Sequence, residues 1–182
     1  MEPGNKIILE TERLIFRRHI PADIEAYCAM EMDPGVRGYV GGHPRKREDA
    51  ERKFNNELPY MEPGLGMRAT VLKSNGLYIG RCGIYPHFNP DGEVFPDEAS
   101  LGYYIASGYQ GRGFAIEAAS AFVKFGFEEL HLNRIVTTVQ VGNDASVHIL
   151  EKLGFVLIRT ETGPRSFYHF ALQNPANNKT SF

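Results

Sequence analysis

A glycine-rich segment at residues 108–115 has the residue types of a phosphate-binding loop. It reads Gly-Tyr-Gln-Gly-Arg-Gly-Phe-Ala and lies between a β-rich run and an apolar, helix-forming run. Glycines let the backbone turn tightly, and they leave several N–H groups unencumbered at a helix N-terminus, where such groups bind phosphate oxygens. The Arg112 side chain adds positive charge. The segment therefore predicts a phosphate-bearing ligand, and a glycine turn that serves packing alone is the alternative.

Two common nucleotide-binding motifs do not fit this segment. A Walker A loop needs lysine and then serine or threonine after its last glycine, but Gly113 is followed by Phe114. A dinucleotide fingerprint that starts at Gly111 needs glycine or alanine at position 116, which is Ile116. The sequence thus disfavours both a nucleoside triphosphatase and a nicotinamide- or flavin-dinucleotide enzyme.

The segment resembles the acyl-CoA pyrophosphate loop of the GNAT acetyltransferases, Q/R-x-x-G-x-G/A, which Gln110, Gly113 and Ala115 satisfy. Downstream, Asn143-x-x-Ser146 and the run Glu-Lys-Leu-Gly-Phe at 151–155 are similar to the second block of the same family. The likeness covers the chain from Ile8 to Gln173.

The opening of the chain narrows the resemblance. The pattern Thr11-x-Arg13-Leu14-x-x-Arg17 is similar to the start of the RimJ/RimL-like branch, which acetylates N-termini of ribosomal proteins. The branch resemblance favours, weakly, a peptide or protein N-terminus as the acetyl acceptor.

The resemblance implies that acetyl-CoA is the cosubstrate, with its pyrophosphate on the loop and its pantetheine beside the strand that ends at Ile105. The family usually has a proline two residues after this position, and Ser107 stands there instead, so we expect a less rigid start of the loop. The residues implied to contact acetyl-CoA are Ile105, Gln110, Gly111, Arg112, Gly113, Phe114, Ala115, Asn143 and Ser146.

Amine attack on a thioester needs a neutral amine, a polarised carbonyl and a proton for the leaving thiolate. A backbone N–H on a splayed strand can polarise the carbonyl. Many GNAT members place a tyrosine acid directly before the 151–155 run, but this chain has Leu150. Ser146, one helical turn earlier on the same face, is the candidate acid, and a helix-capping hydroxyl is the alternative. Asn143 is interpreted as a cofactor contact, as a helix cap, or as both.

The candidate base is Glu98. Side chains alternate along a strand, so Glu98 and Ser100 share one face. Many relatives of the branch have glutamate at the place of Ser100, so this chain lacks that carboxylate. Glu98 is the nearest carboxylate that could replace it, and we expect it to act through a water molecule. A solvated carboxylate with an amine that enters already neutral is the alternative. His87 is a second candidate base, or else a loop histidine.

Alternating and helical patterns predict the elements that must position these residues. The resemblance implies a GNAT fold of mixed α+β class, with a mostly antiparallel mixed sheet splayed between its fourth and fifth strands and helices on both faces. We expect one domain over 1–173 and a frayed polar tail over 174–182. Predicted strands lie within 6–20 and at 66–72, 77–85, 99–106, 134–141, 155–160 and 167–173, and predicted helices at 22–32, 47–58, 114–130 and 144–153.

Composition excludes several classes of protein. The 182 residues are 42% hydrophobic, which suits one domain with its own core, and the net charge of −2 argues against a nucleic-acid partner. No apolar run approaches the ~18 residues of a membrane helix, and the first twenty residues are not expected to form a signal peptide, because charged residues interrupt them. Two cysteines without metal or disulfide spacing indicate the cytoplasm, and none of the six histidines has the spacing of a zinc motif, so no metal is expected.

These observations predict a cytoplasmic N-acetyltransferase that moves acetyl directly to a primary amine, because no cysteine lies in the motifs to form an acetyl-enzyme. Besides a peptide N-terminus, a polyamine and an aminoglycoside-type antibiotic remain open as acceptors. A non-catalytic acyl-CoA binding or sensing domain is the other class, since it would explain both Leu150 and Ser100. Relatives are often dimers, and the sequence leaves the oligomeric state open.

Overall fold

The computed structural model describes residues 7–57, 65–89 and 91–177. Within these ranges the chain forms five α-helices, eight strands and two 3-10 turns, the turns at Pro21–Asp23 and Ser107–Tyr109. The helices are α1 (Ile24–Met32), α2 (Pro34–Arg37), α3 (Arg47–Glu57), α4 (Phe114–Glu128) and α5 (Asp144–Lys152). The strands are β1 (Ile7–Glu10), β2 (Leu14–Arg17), β3 (Gly66–Leu72), β4 (Tyr78–Phe88), β5 (Val94–Ile105), β6 (Arg134–Gln140), β7 (Val156–Glu161) and β8 (Phe167–Gln173).

One mixed sheet joins all eight strands in the order β1-β2-β3-β4-β5-β6-β8-β7. Every neighbouring pair is antiparallel except β5 and β6, which are parallel. The predicted mixed, mostly antiparallel sheet is therefore confirmed. Because the N-terminal run forms two strands, the strands expected as fourth and fifth are β5 and β6.

The sheet opens between β5 and β6. These strands pair only at Glu98 with Arg134, Ala99 with Ile135 and Ser100 with Val136, although both strands continue beyond those positions. Where they part, the Thr137 hydroxyl donates a hydrogen bond to the Leu101 carbonyl at 3.0 Å. The backbone polar groups on the two facing edges beyond this point lack the ladder partners that a closed sheet would supply.

Helix α4 fills one face of the sheet. Its apolar side buries Ala118, Ala119 and Phe122. At Gly126 the helix comes so close that an added Cβ would lie 3.0 Å from Ile135 and 3.2 Å from Ile84. This packing fixes the last turn of α4 against β4 and β6, beside the part where β5 and β6 are paired.

Helices α1 and α3 lie on the other face. Tyr27, Cys28, Ala50 and Phe54 form a second buried cluster there. The Arg81 side chain of β4 contacts Tyr27 on this side, whereas its neighbour Cys82 belongs to the core beneath α4. Helices thus cover both faces, as the resemblance implies.

The structure departs from the predicted elements in two places. Directly after the predicted helix at 22–32, Asp33-Pro34-Gly35 begins the short helix α2, which was not predicted. The Asp33 carboxylate caps it by accepting a hydrogen bond from the Gly35 N–H at 2.7 Å. The hairpin of β4 and β5 is longer than predicted and reaches Phe88 and Val94.

At the C-terminus, Asn174 is buried and its side-chain amide donates to the Leu132 carbonyl at 2.9 Å. Residues 178–182 of the predicted frayed tail lie outside the described residues, as does Leu58 of the second predicted helix. Within the described ranges, no helix has the length and apolar character needed to cross a membrane.

Candidate active site

The glycine-rich segment forms the connection between β5 and α4. Gly111 and Gly113 have φ of 72° and 80°, in the left-handed region that favours glycine. In the part of the chain that the structure describes, no protein acceptor is found for the backbone N–H groups of residues 111–116. These donors converge at the positive end of a helix dipole, which is the chemistry of an anion site.

The loop surface is open at its glycines. A Cβ added at Gly108 or Gly111 would meet no atom within 4 Å. The Arg112 guanidinium lies 5.5 Å from the centre of the Tyr109 ring and is exposed. A diphosphate group therefore fits the residues present, because donors, charge and room coincide.

The remaining predicted loop residues hold the segment in place. Phe114 is buried and Ala115 half-buried, so both pack the helix start on the core. The Gln110 side-chain amide donates to the Ile105 carbonyl at 2.9 Å, and the Ile105 side chain is buried. Gln110 and Ile105 thus hold each other where β5 ends.

The start of the loop is fastened by a side chain that replaces the usual proline. The Ser107 hydroxyl donates to the Asp33 carboxylate at 2.6 Å. Asp33 is the residue that caps α2, so the loop and the connection from α1 to α2 share one anchor. The start of the loop was expected to be less rigid without proline. This hydrogen bond restrains it instead.

A clamp from the N-terminal motif grips the other end of the loop. Arg13 Nε donates to the Glu117 carboxylate at 2.6 Å, and Arg13 Nη1 donates to the Arg112 carbonyl at 3.0 Å. The Thr11 hydroxyl donates to the same carboxylate at 2.6 Å. Burial pushes the pKa of Glu117 upward, but hydrogen bonds from Thr11 and Arg13 outweigh it and the pKa is lowered. The clamp needs Glu117 ionised.

Across the opening, the first turn of α5 faces β5. Asn143 is the N-cap of α5, and its side-chain oxygen accepts from the Ser146 N–H at 3.3 Å. Asn143, and not the Ser146 hydroxyl, therefore supplies the capping oxygen.

Tyr103 spans the opening, and the sequence had not singled it out. Its hydroxyl donates to the Ser146 carbonyl at 3.4 Å. Burial raises the pKa of Tyr103 to about 12, so the phenol stays protonated. From the sequence, strand alternation predicts that Tyr103 lies on the face of β5 covered by α4. Its contact with α5 could be found only from the structure.

On the opposite face of β5, the predicted acceptor-side residues come together. The Glu98 carboxylate accepts a hydrogen bond from Arg134 at 2.7 Å, an ion pair that the sequence did not reveal. The Ser100 hydroxyl lies 3.2 Å from His87 Nδ1. Burial lowers the pKa of His87, against the opposing charge of Glu98, so the imidazole is neutral at neutral pH.

The two cysteines lie away from these groups. Cys28 and Cys82 are both free thiols and fully buried. Burial raises the pKa of each thiol. Neither sulfur is therefore available as a thiolate nucleophile.

Comparisons with known proteins agree with this geometry. Residues 13–156 match the family described as an acetyltransferase (GNAT) domain. The chain is 41% identical over 148 residues to the prophage-derived uncharacterized N-acetyltransferase YokL of Bacillus subtilis, which covers 80% of this chain and 77% of YokL. It is 30% identical over 150 residues to the uncharacterized N-acetyltransferase p20 of Bacillus licheniformis, at 81% of each chain.

A solved structure shows the same fold. The GNAT-family acetyltransferase from Bacillus anthracis superposes with a TM-score of 0.80 at 24% identity, over 91% of this chain and 98% of that one. At this identity the likeness is one of fold.

The clamp makes stability depend on pH in a defined way. Because the pKa of Glu117 is lower in the folded state than in the unfolded state, its contribution is complete above the unfolded pKa and is lost as pH falls through the folded one. We expect Glu117→Gln to cost about 1 kcal/mol at pH 7 and progressively less in acid. Urea unfolding of both proteins from pH 7 down to pH 3 measures the difference.

Glu128→Gln is the matched control, because Glu128 lies on the same helix in an exposed 3.8 Å ion pair with Lys124. It should change stability by less than about 0.5 kcal/mol at every pH. A Glu117→Gln deficit that stayed constant down to pH 3 would contradict the role of the ionised carboxylate.

Proposed function

The chain belongs to the GNAT acetyltransferase family, and from that premise we propose that it transfers acetyl from acetyl-CoA directly to a primary amine. The observation that carries the proposal is the row of backbone N–H groups at 111–116, for which no protein acceptor is found among the described residues. A diphosphate is the group in acetyl-CoA that such a row recognises.

The donor side of the site is then built largely from main chain. The amides of Gly111, Arg112 and Gly113 bind the diphosphate, with the Arg112 guanidinium beside them. The unpaired edges of β5 and β6 beyond Ser100 offer backbone donors and acceptors to the amide groups of pantetheine. The Asn143 amide nitrogen completes this side, since its oxygen is already used as a cap.

The transfer step uses groups on either side of the opening. A backbone N–H of β5 beyond Ser100 polarises the thioester carbonyl while the amine nitrogen attacks its carbon. Ser146 donates its hydroxyl proton to the sulfur as the carbon–sulfur bond breaks. Tyr103 steadies the turn that carries Ser146. The buried thiols of Cys28 and Cys82 favour direct transfer over an acetyl-enzyme.

For the acceptor we propose the α-amine of a peptide or protein first, on the branch resemblance, and a small polyamine or antibiotic amine second. Glu98 remains our predicted carboxylate on the acceptor side. Its ion pair with Arg134 fixes it 2.7 Å from a guanidinium, so it reaches the amine proton only through an intervening group.

Two measurements test the proposed function together. Calorimetry of the folded protein with coenzyme A should show binding, and thiol release from acetyl-CoA should appear with at least one member of a panel of peptides, spermidine and aminoglycosides. Absence of binding would refute the proposal. Binding without turnover on any amine would favour the sensing domain, which the serine at position 100 also suits.

A matched pair of glycines tests the loop. Gly111 and Gly76 have φ of 72° and 71°, and both would place a Cβ in open space. Alanine at either should cost about 1–2 kcal/mol of stability through left-handed strain. Only Gly111→Ala should weaken coenzyme A binding, by about tenfold or about 1.4 kcal/mol, because its amide directions change. Equal affinity of the two variants by calorimetry would refute the loop as the diphosphate site.

Ser146→Ala tests the acid. We expect kcat to fall by about 100-fold, as for loss of a general acid, with little change in coenzyme A affinity. Ser120→Ala, an exposed serine on α4, is the control and should leave kcat unchanged. Steady-state rates of thiol release measure both, and an unaltered kcat in Ser146→Ala would remove Ser146 as the acid.

A further inference from the structure

We propose that His87, acting through the Ser100 hydroxyl, accepts the proton that the amine loses when it attacks the thioester. The proposal rests on the proposed function and supplies the group that links the amine to the acceptor-side charges. It also gives a role to the serine that stands where many relatives have glutamate.

The backbone aims His87 at Ser100. The register of β4 against β5 shifts between Pro86 and Phe88, so His87 sits at the irregularity. A bulge of this kind redirects a side chain, and here it brings His87 Nδ1 to 3.2 Å from the Ser100 hydroxyl. The Phe95 ring stacks on the imidazole, with centroids 5.3 Å apart and planes 16° apart, and fixes its plane.

Ser100 sits where the sheet opens. It belongs to the last residue pair that joins β5 to β6, opposite Val136. The unpaired edge that would polarise the thioester carbonyl starts at the next residue, Leu101. A hydroxyl at this position lies beside the attacking nitrogen, whereas Glu98 is two residues further from the opening and held by Arg134.

The surroundings suit a base that is neutral before reaction. The charged groups that face His87 are Glu98 on β5 and Arg134 on β6. Burial lowers the pKa of His87, Arg134 lowers it further, and Glu98 opposes them. The titratable neighbour Tyr85 on β4 also contacts the Ser100 hydroxyl and keeps its proton, because burial raises its pKa to about 12 against the lowering effect of that hydrogen bond. When His87 gains a proton, Glu98 is the negative charge that stabilises it.

The proton balance closes without another reactant. The amine nitrogen forms its bond to the acetyl carbon and releases a proton to Ser100 Oγ, while the hydroxyl proton of Ser100 moves to His87 Nδ1. The carbon–sulfur bond breaks, and the thiolate takes a proton from Ser146. His87 then returns its proton to solvent, and solvent restores that of Ser146.

A first experiment needs no acceptor. In this mechanism His87 carries its proton on Nε2, so that Nδ1 accepts a hydrogen bond from Ser100. Nitrogen-15 spectra of the imidazole side chains, assigned with His87→Asn, should show an unprotonated Nδ1 at pH 7.5 and titration below the ordinary pKa of a histidine. A proton on Nδ1 at that pH would overturn the proposal.

The second experiment uses the best amine of the panel. Asparagine keeps a polar atom near the place of Nδ1 but cannot take a proton, so His87→Asn should lower kcat/KM by about 100-fold. The inflection that protonation of His87 adds to the acid limb of the kcat/KM profile should disappear with it, whereas the inflection set by protonation of the amine itself should remain. Affinity for coenzyme A should stay within about twofold, which a general loss of structure would not allow.

Controls separate the relay from other roles. His131→Asn, an exposed histidine at φ 54° in a turn, should leave kcat/KM and the acid limb unchanged. The double variant His87→Asn with Ser100→Ala should be no slower than the slower single variant, because both remove one relay. Additive losses, or a wild-type acid limb in His87→Asn, would refute it.

The two proposals fail in different ways. If the wild-type protein turns over no amine, the proposed function fails, and the Nδ1 measurement still decides whether the His87–Ser100 pair has the required hydrogen bond. If amines are acetylated and His87→Asn matches the wild type, acetyl transfer stands and the His87 relay is wrong.

Discussion

The parting of β5 from β6 is the constraint on which the site depends. In the interior of a sheet each backbone N–H and C=O pairs with a neighbouring strand, and a buried group left without a partner costs about 1–3 kcal/mol. Beyond Ser100 and Val136, the facing backbone groups of β5 and β6 are not paired with each other. The Thr137 hydroxyl donates to the first of these carbonyls, that of Leu101. The close approach of α4 at Gly126 packs the helix on Ile84 of β4 and Ile135 of β6, beside the part where β5 and β6 are still paired.

The second element of the site, the loop before α4, is held at both ends by residues that are distant in the sequence. Asp33 holds its start through Ser107, and Arg13 with Thr11 holds its end through Glu117. No single bond in this arrangement is strong, because Arg13 is 43% exposed and such ion pairs contribute little alone. Together they hold a loop whose N–H groups at 111–116 have no protein acceptor among the described residues.

Local signals made the loop and most elements predictable. The glycine pattern placed the turn before α4, and apolar periodicity identified α4 within two residues of its observed end. The contacts of Arg13 with Glu117 could not be predicted from the sequence, because the two residues are 104 positions apart. In the sequence, the N-terminal motif served only as a family resemblance.

The acceptor side was harder to predict because its contacts depend on register. The start of β5 at Val94 was not predicted, because Pro96 and Asp97 are poor strand formers. In the structure they lie in the irregular stretch between the Phe88–Val94 and Pro86–Ala99 pairs. The contact of His87 with Ser100 follows from a register shift that no local pattern encodes. That Glu98 and Ser100 share one face of β5 was predictable from strand alternation. The ion pair of Glu98 with Arg134 was not, because Arg134 lies on the parallel strand β6.

The two sides of the opening therefore differ in whether backbone amides or side chains form them. The proposed donor side consists mainly of backbone amides, so we expect substitutions to change it little unless they alter a left-handed glycine. The acceptor side consists of side chains on β4, β5 and β6, and each can change without disturbing the strands. A serine at position 100 in place of a carboxylate removes one negative charge beside Glu98, and a neighbouring histidine can then stay neutral and take up the proton. Such a division lets a chain retain one acetyl donor while its acceptor and its base diverge.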